Sequence, residues 1–214
     1  MRLGKKFFEQ NTLKVARELL GKTLAREWHG KKLRGVICET EAYKGFNDKA
    51  SHACLSGRQA SRGITPRTAL MFGEAGRAYV YMIYGTHHCL NIVTEKNGYP
   101  AAVLIRSIRL SDSRKEINGP GRVCKFFHID KKLNGEDVIK SRKLWIEDAQ
   151  SNLKITRFKN LKIFRPRRLP TEQAGISLGL TKFKSLKIKR APRIGVDYAG
   201  EWKNKPWRFY VANI

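Results

Sequence analysis

Glu39, Glu41 and Tyr43 occupy alternate positions in the stretch Val36-Ile37-Cys38-Glu39-Thr40-Glu41-Ala42-Tyr43. Side chains alternate across a strand, so an extended run places two carboxylates and a phenol on one face. A carboxylate on a rigid strand beside a flat ring is suited to taking a proton from water. The same alternation also suits solvent-facing charges on an edge strand, and both readings stand at this point. Arg106 closes the apolar run 101–105, where an unpaired guanidinium is costly and a buried carboxylate is a natural partner. Asn91 lies inside another apolar run, so it belongs either to a structural hydrogen-bond network or to a group that reads a ligand. In the β-prone run 77–85, Tyr79 and Tyr81 share a face while Tyr84 points the other way, beside Gly85. Strand aromatics mostly pack in cores. A ring at a turn in a very basic chain has another use, as a wedge or stacking platform for bases.

The elements that must position these groups are legible in outline. Asn11 and Thr12 cap a helix with an apolar stripe at Leu13, Ala16, Leu19 and Leu20, and Gly21 ends it. Residues 22–28 and 34–40 read as strands around a basic turn, His29-Gly30-Lys31-Lys32. The stretch 44–76 reads as one long functional loop, with His52 in it and Arg58, Arg62 and Arg67 suited to phosphate contacts. Further strands are expected at 77–85, 87–93, 101–106 and 207–211. Asn118-Gly119-Pro120-Gly121-Arg122 can open a helix whose start and Arg122 face an anion. No internal repeat or linker is evident, which predicts a single domain over 1–214 with a basic, less patterned stretch at about 141–190.

Charge is the strongest global signal. There are 44 Lys plus Arg against 18 Asp plus Glu, a formal net charge of +26. Such a surplus concentrates polyanions at the surface and points to nucleic acid. A membrane partner has no support, because no run is apolar enough to span a bilayer and the N-terminus lacks a signal segment, so an intracellular, monomeric protein is expected. Four widely spaced cysteines without a C-x-x-C pair argue against zinc and read as reduced thiols. His87 and His88 point to opposite faces of a strand and do not chelate one metal together. Composition alone favours a non-catalytic, very basic nucleic-acid-binding protein, of the RNA-binding or ribosome-associated kind, in which Glu41 and the tyrosines would be structural.

The ordered set E-T-E-A-Y (Glu39 to Tyr43), A-S-H (Ala50 to His52), T-P-R (Thr65 to Arg67), M-F-G (Met71 to Gly73), A-Y-V-Y-M-I-Y-G (Ala78 to Gly85) and C-L-N (Cys89 to Asn91) resembles the alkyladenine (3-methyladenine, N-methylpurine) DNA glycosylase family. The likeness continues through N-G-P-G-R at 118–122 and R-I-G-V-D-Y-A-G-E-W to R-F-Y-V at 193–211. It implies a mixed α/β (α+β) domain on a curved, largely antiparallel sheet with peripheral helices. It implies base flipping and excision of damaged purines from double-stranded DNA, with no metal or organic cofactor. Carried over residue by residue, it makes Glu41 the base that activates water, with Arg106 and the backbone carbonyl of Ile194 helping to place that water. Tyr43, His52 and Tyr81 would hold the flipped base, Asn91 would crowd the 2-amino group of guanine, and Tyr84 would fill the gap left in the duplex. No lysine in these motifs matches a Schiff-base nucleophile, which implies a monofunctional enzyme.

Overall fold

Among the described residues the longest element is β2 (Lys31–Lys44), a 14-residue strand from which the sheet grows in both directions. In this computed structural model, residues 1–55, 64–111, 113, 115–148 and 187–212 are described. β1 (Thr23–Trp28) pairs antiparallel with β2 in a register that sets Trp28 opposite Lys31. Only His29 and Gly30 remain in the turn, at φ 47° and 75°. Both are left-handed, the geometry whose twist matches a two-residue hairpin, so the turn is tighter than the four residues expected.

On its other edge β2 pairs with β5 (Ala101–Leu110), followed outward by β4 (His87–Val93) and β3 (Ala78–Ile83). β7 (Leu144–Glu147) adds to β1, and β6 (Glu116–Asn118) adds to β5. β9 (Arg208–Val211) pairs with the second half of β2 and with β8 (Ile188–Ala191). Among the described residues nine antiparallel strands curl into a half-barrel. The fold class is therefore α+β, as the family resemblance implies. β7 lies within the basic stretch that carried no strand expectation and β8 begins at its end, and most of the rest of that stretch, with Arg58 and Arg62, falls outside the described residues.

Helices are few. α1 (Lys5–Phe8) was not expected; α2 (Thr12–Glu18) begins where Asn11 accepts the Leu13 N–H at 3.1 Å, and α3 (Pro120–Phe126) opens with proline in its first turn. α2 packs on β2, and Thr40 Oγ1 donates to the Ala16 carbonyl at 2.7 Å from inside the core. Phe8, Leu19, Leu24, Ile37, Ile105, Ile108 and Phe127 are fully buried around that contact. The expected loop at 44–76 is broken by a helical turn at Ala69–Phe72, which buries Met71.

One irregularity bears on the chemistry. The β2–β5 register runs Ile37 to Ile108, then Glu39 to Ser107, then Thr40 to Ile105, so Cys38 and Arg106 are each passed over. A bulge re-aims side chains locally and sharpens the twist. Here it turns Arg106 toward Glu39 and Glu41.

Candidate active site

The curl of the sheet leaves a cleft of about 440 Å³, whose lining includes Glu41, Tyr43, His52, Tyr81, Asn91 and Arg106. Such a volume accommodates a small ringed ligand. Glu41 is fully buried at its base, 0% exposed. Its Oε2 accepts from the Tyr43 hydroxyl at 2.7 Å, and its Oε1 accepts from the Ile194 N–H at 2.9 Å. Arg106 Nε stands 3.6 Å from Glu41 Oε1 and 3.4 Å from Glu39 Oε1, near enough for attraction without forming a hydrogen bond. Glu39 is also held by Arg208 Nη1 at 2.7 Å.

These contacts separate the two carboxylates. Burial pushes the Glu41 carboxyl above its ordinary 4.5, while Arg106, the Tyr43 hydroxyl and the Ile194 N–H pull it back toward the ionised form. Burial and then the neighbouring Glu41 hold Tyr43 well above 10, so the phenol stays protonated and remains the donor. Each Glu41 oxygen spends one lone pair on a protein donor and keeps acceptor capacity for water. A buried carboxylate with raised basicity at the floor of a cleft is equipped for general-base work.

The walls are aromatic. The His52 ring stands edge-on to Tyr81, with centroids 4.6 Å apart, and its Nδ1 lies 3.1 Å from the Tyr79 hydroxyl. Burial, then the Arg67 charge, lowers His52 to about 4, so the imidazole is neutral at ordinary pH. Asn91, 3% exposed, is pinned by Nδ2 donating to the Tyr79 carbonyl at 3.2 Å and the Cys89 carbonyl at 3.5 Å. Tyr84 differs from the other rings: it sits in the turn joining β3 to β4 at φ 50° and is 90% exposed. A large ring held out in a left-handed turn gains nothing from packing there.

The structure brings Glu41, Tyr43, His52, Tyr81, Asn91, Arg106 and Ile194 to one cleft and sets Tyr84 at its rim. Ile194 meets Glu41 through its N–H. Arg67, expected on phosphates, lies with its guanidinium 5.1 Å over the Tyr81 ring inside the cleft lining. Arg122 is exposed on α3 outside that lining, where Pro120 is included instead. Sequence reasoning missed Asp48 and Arg193, both buried behind Tyr43. Only the early position of Arg193 in an ordered motif hinted at it. Among the described residues no cluster of three or more His, Cys, Asp or Glu side chains is arranged for a metal ion, and no helix is long and apolar enough to cross a membrane.

Comparison with known proteins adds independent information. A family model described as methylpurine-DNA glycosylase matches residues 6–175. A protein of Methanocella arvoryzae named "Putative 3-methyladenine DNA glycosylase" is 42% identical over 226 aligned positions, covering 99% of this chain and 92% of the relative. Proteins of the same name from Desulfitobacterium hafniense and Alkaliphilus oremlandii are 37% and 36% identical, covering 99% and 100% of this chain and 96% of each relative.

Proposed function

The chain belongs to the methylpurine-DNA glycosylase family, a family of base-excision DNA-repair enzymes, and on that premise we propose that it hydrolyses the N-glycosidic bond of damaged purines flipped out of duplex DNA. The substrates are of the 3-methyladenine, 7-methylguanine, hypoxanthine and ethenoadenine class. The observation that carries this reading is the fully buried Glu41 at the floor of an aromatic cleft, with both oxygens already oriented by neutral donors. Glu41 takes a proton as water oxygen bonds to C1′, and the C1′–N9 electron pair leaves with the purine. Arg106 offsets the buried charge on Glu41 and helps to place the water. Tyr43, His52 and Tyr81 enclose the base, and an electron-poor alkylpurine stacks well against such rings. Asn91 excludes the guanine 2-amino group, and Tyr84 enters the gap in the duplex.

Arg67, Arg122 and the wider basic surface supply phosphate attraction, in keeping with the net charge of +26. The enzyme acts as a monomer. It is monofunctional: among the described residues none that lines the cleft is a lysine that could form a Schiff base. The test is single-turnover excision from duplexes carrying hypoxanthine, ethenoadenine or alkylated purines, with strand integrity followed separately. Release of the base leaving an intact abasic strand is expected. No release from any of these duplexes overturns the reading, and strand cleavage without added alkali overturns the monofunctional assignment.

A further inference from the structure

Arg193 and Asp48 form an ion pair with both side chains 0% exposed. The fork is bidentate, Nη1 to Oδ2 at 2.6 Å and Nη2 to Oδ1 at 2.8 Å. Nη1 also donates to the Ala42 carbonyl at 2.9 Å and Nη2 to the Trp202 carbonyl at 3.3 Å. The guanidinium lies over two rings, 4.8 Å from the Tyr43 centroid and 5.0 Å from that of Trp207. Asp48 in turn accepts the Lys44 N–H at 3.2 Å and the Ala50 N–H at 3.1 Å. A planar fork that is bidentate on a carboxylate and also donates to two backbone carbonyls has little freedom to rotate.

What this pair touches is selective. Arg193 is the residue before Ile194, whose N–H meets Glu41, and its guanidinium backs the ring of Tyr43, whose hydroxyl meets the other Glu41 oxygen. Asp48 belongs to the segment that also carries Ala50 and His52 into the cleft lining. Resting on the glycosylase reading above, we propose that the Arg193–Asp48 pair is a positioning device for the reaction, holding the Ile194 amide and the Tyr43 hydroxyl on Glu41. Neither residue touches the base or the reacting water; they act through the two donors.

The consequence is a pH signature. The charged and titratable groups around Glu41 are Glu39 and Tyr43 on β2, Arg106 on β5 and Cys89 on β4, with Arg208 of β9 reaching Glu39. Loosening the clamp leaves Arg106, Glu39, Cys89 and Arg208 in place and weakens the two neutral hydrogen bonds that favour the ionised carboxylate. The acid limb of the excision rate then moves up.

Arg193→Lys and Asp48→Asn are compared with the unaltered protein in single-turnover release of hypoxanthine across pH, alongside lesion-duplex affinity and thermal melting. Ile194→Pro, which removes the N–H with the ion pair intact, is the reference. Expected are a roughly 10-fold slower reaction at neutral pH for each clamp variant, an acid limb raised by about one pH unit in Arg193→Lys, which keeps every charge in place, the scale of one hydrogen bond to a charged group, and nearly unchanged lesion-duplex affinity. Ile194→Pro moves the limb in the same direction. Should Asp48→Asn fail to fold, Arg193→Lys carries the test, since it keeps the charge and loses the fork. A folded Arg193→Lys whose acid limb stays in place overturns the clamp while leaving the glycosylase reading intact. Absence of hypoxanthine release by the unaltered protein overturns both.

Discussion

Glu41→Gln isolates the proposed chemistry because the side chain keeps its shape and loses only its basicity. Glutamine Oε1 can still accept the Ile194 N–H now at 2.9 Å, and the Tyr43 hydroxyl now at 2.7 Å can turn from donor to acceptor for the new NH₂ group. The Arg106 guanidinium loses a carboxylate at 3.6 Å and keeps Glu39 at 3.4 Å. The stability effect follows from the direction of the Glu41 shift. Its folded-state pKa lies above 4.5, so the folded protein binds the proton more tightly than the unfolded chain. Stability is therefore fully present below the unfolded value and falls as pH rises through the window up to the folded value, leaving a constant penalty above it. The variant lacks that penalty, so at neutral pH its melting temperature equals or exceeds that of the unaltered protein. Loss of a general base slows the chemical step by ~10²–10⁴-fold, or about 3–5.5 kcal/mol in activation free energy. The assay is hypoxanthine release with enzyme in excess, with lesion-duplex affinity and melting measured in parallel. Glu39→Gln is the control: Glu39 is tied to Arg208 at 2.7 Å, outside the cleft lining, and its loss slows excision far less. Near-normal excision by Glu41→Gln would falsify the mechanism. A slow variant that has also lost melting temperature and duplex binding refutes the claim that Glu41 acts in chemistry rather than in folding.

Tyr84→Ala, at a side chain 90% exposed, changes stability by less than ~0.5 kcal/mol. It weakens capture of the flipped state, and a melting loss of several degrees with normal excision shows Tyr84 to be structural. Asn91→Ser gives up two hydrogen bonds to the Tyr79 and Cys89 carbonyls, costing about 1–2 kcal/mol. It also raises guanine excision relative to hypoxanthine, and an unchanged ratio takes Asn91 out of base selection. His52, held at about 4 against its usual 6.5, stays neutral, so ¹⁵N spectra show an uncharged ring down to pH 5 and the rate has no limb from this group between pH 5 and 8. Because its folded pKa is depressed, the unfolded chain protonates first, and stability falls as pH drops from about 6.5 to about 4. His52→Gln flattens that slope in urea-denaturation midpoints, and an unaltered slope refutes the assignment.

The sequence by itself determined what depends on local pattern. Alternation set Glu39, Glu41 and Tyr43 on one face and separated Tyr84 from Tyr81; Asn11 capped α2 and proline opened α3; the charge balance selected a polyanion partner. The ordered motifs pointed to the family and, through it, to the second carboxylate. Physical reasoning on the strand alone could not choose between Glu39 and Glu41, because period 2 places both on the same face and carries no information about depth. Depth is decided by chain that arrives from far away. Ile194, 153 residues on from Glu41, supplies the amide that closes over it, while Arg208 draws Glu39 toward the exposed side. Arg106 reaches both carboxylates only because the β2–β5 register slips at Cys38 and Arg106, a bulge with no glycine to announce it. Arg193 and Asp48 lie 145 residues apart, and nothing in the local pattern of either pairs them; the fold buries them together, with the guanidinium over the Tyr43 ring. Hydrophobic periodicity records which way a side chain points. Burial, pairing and the resulting pKa depend on what packs over it, and that is a property of the tertiary structure alone.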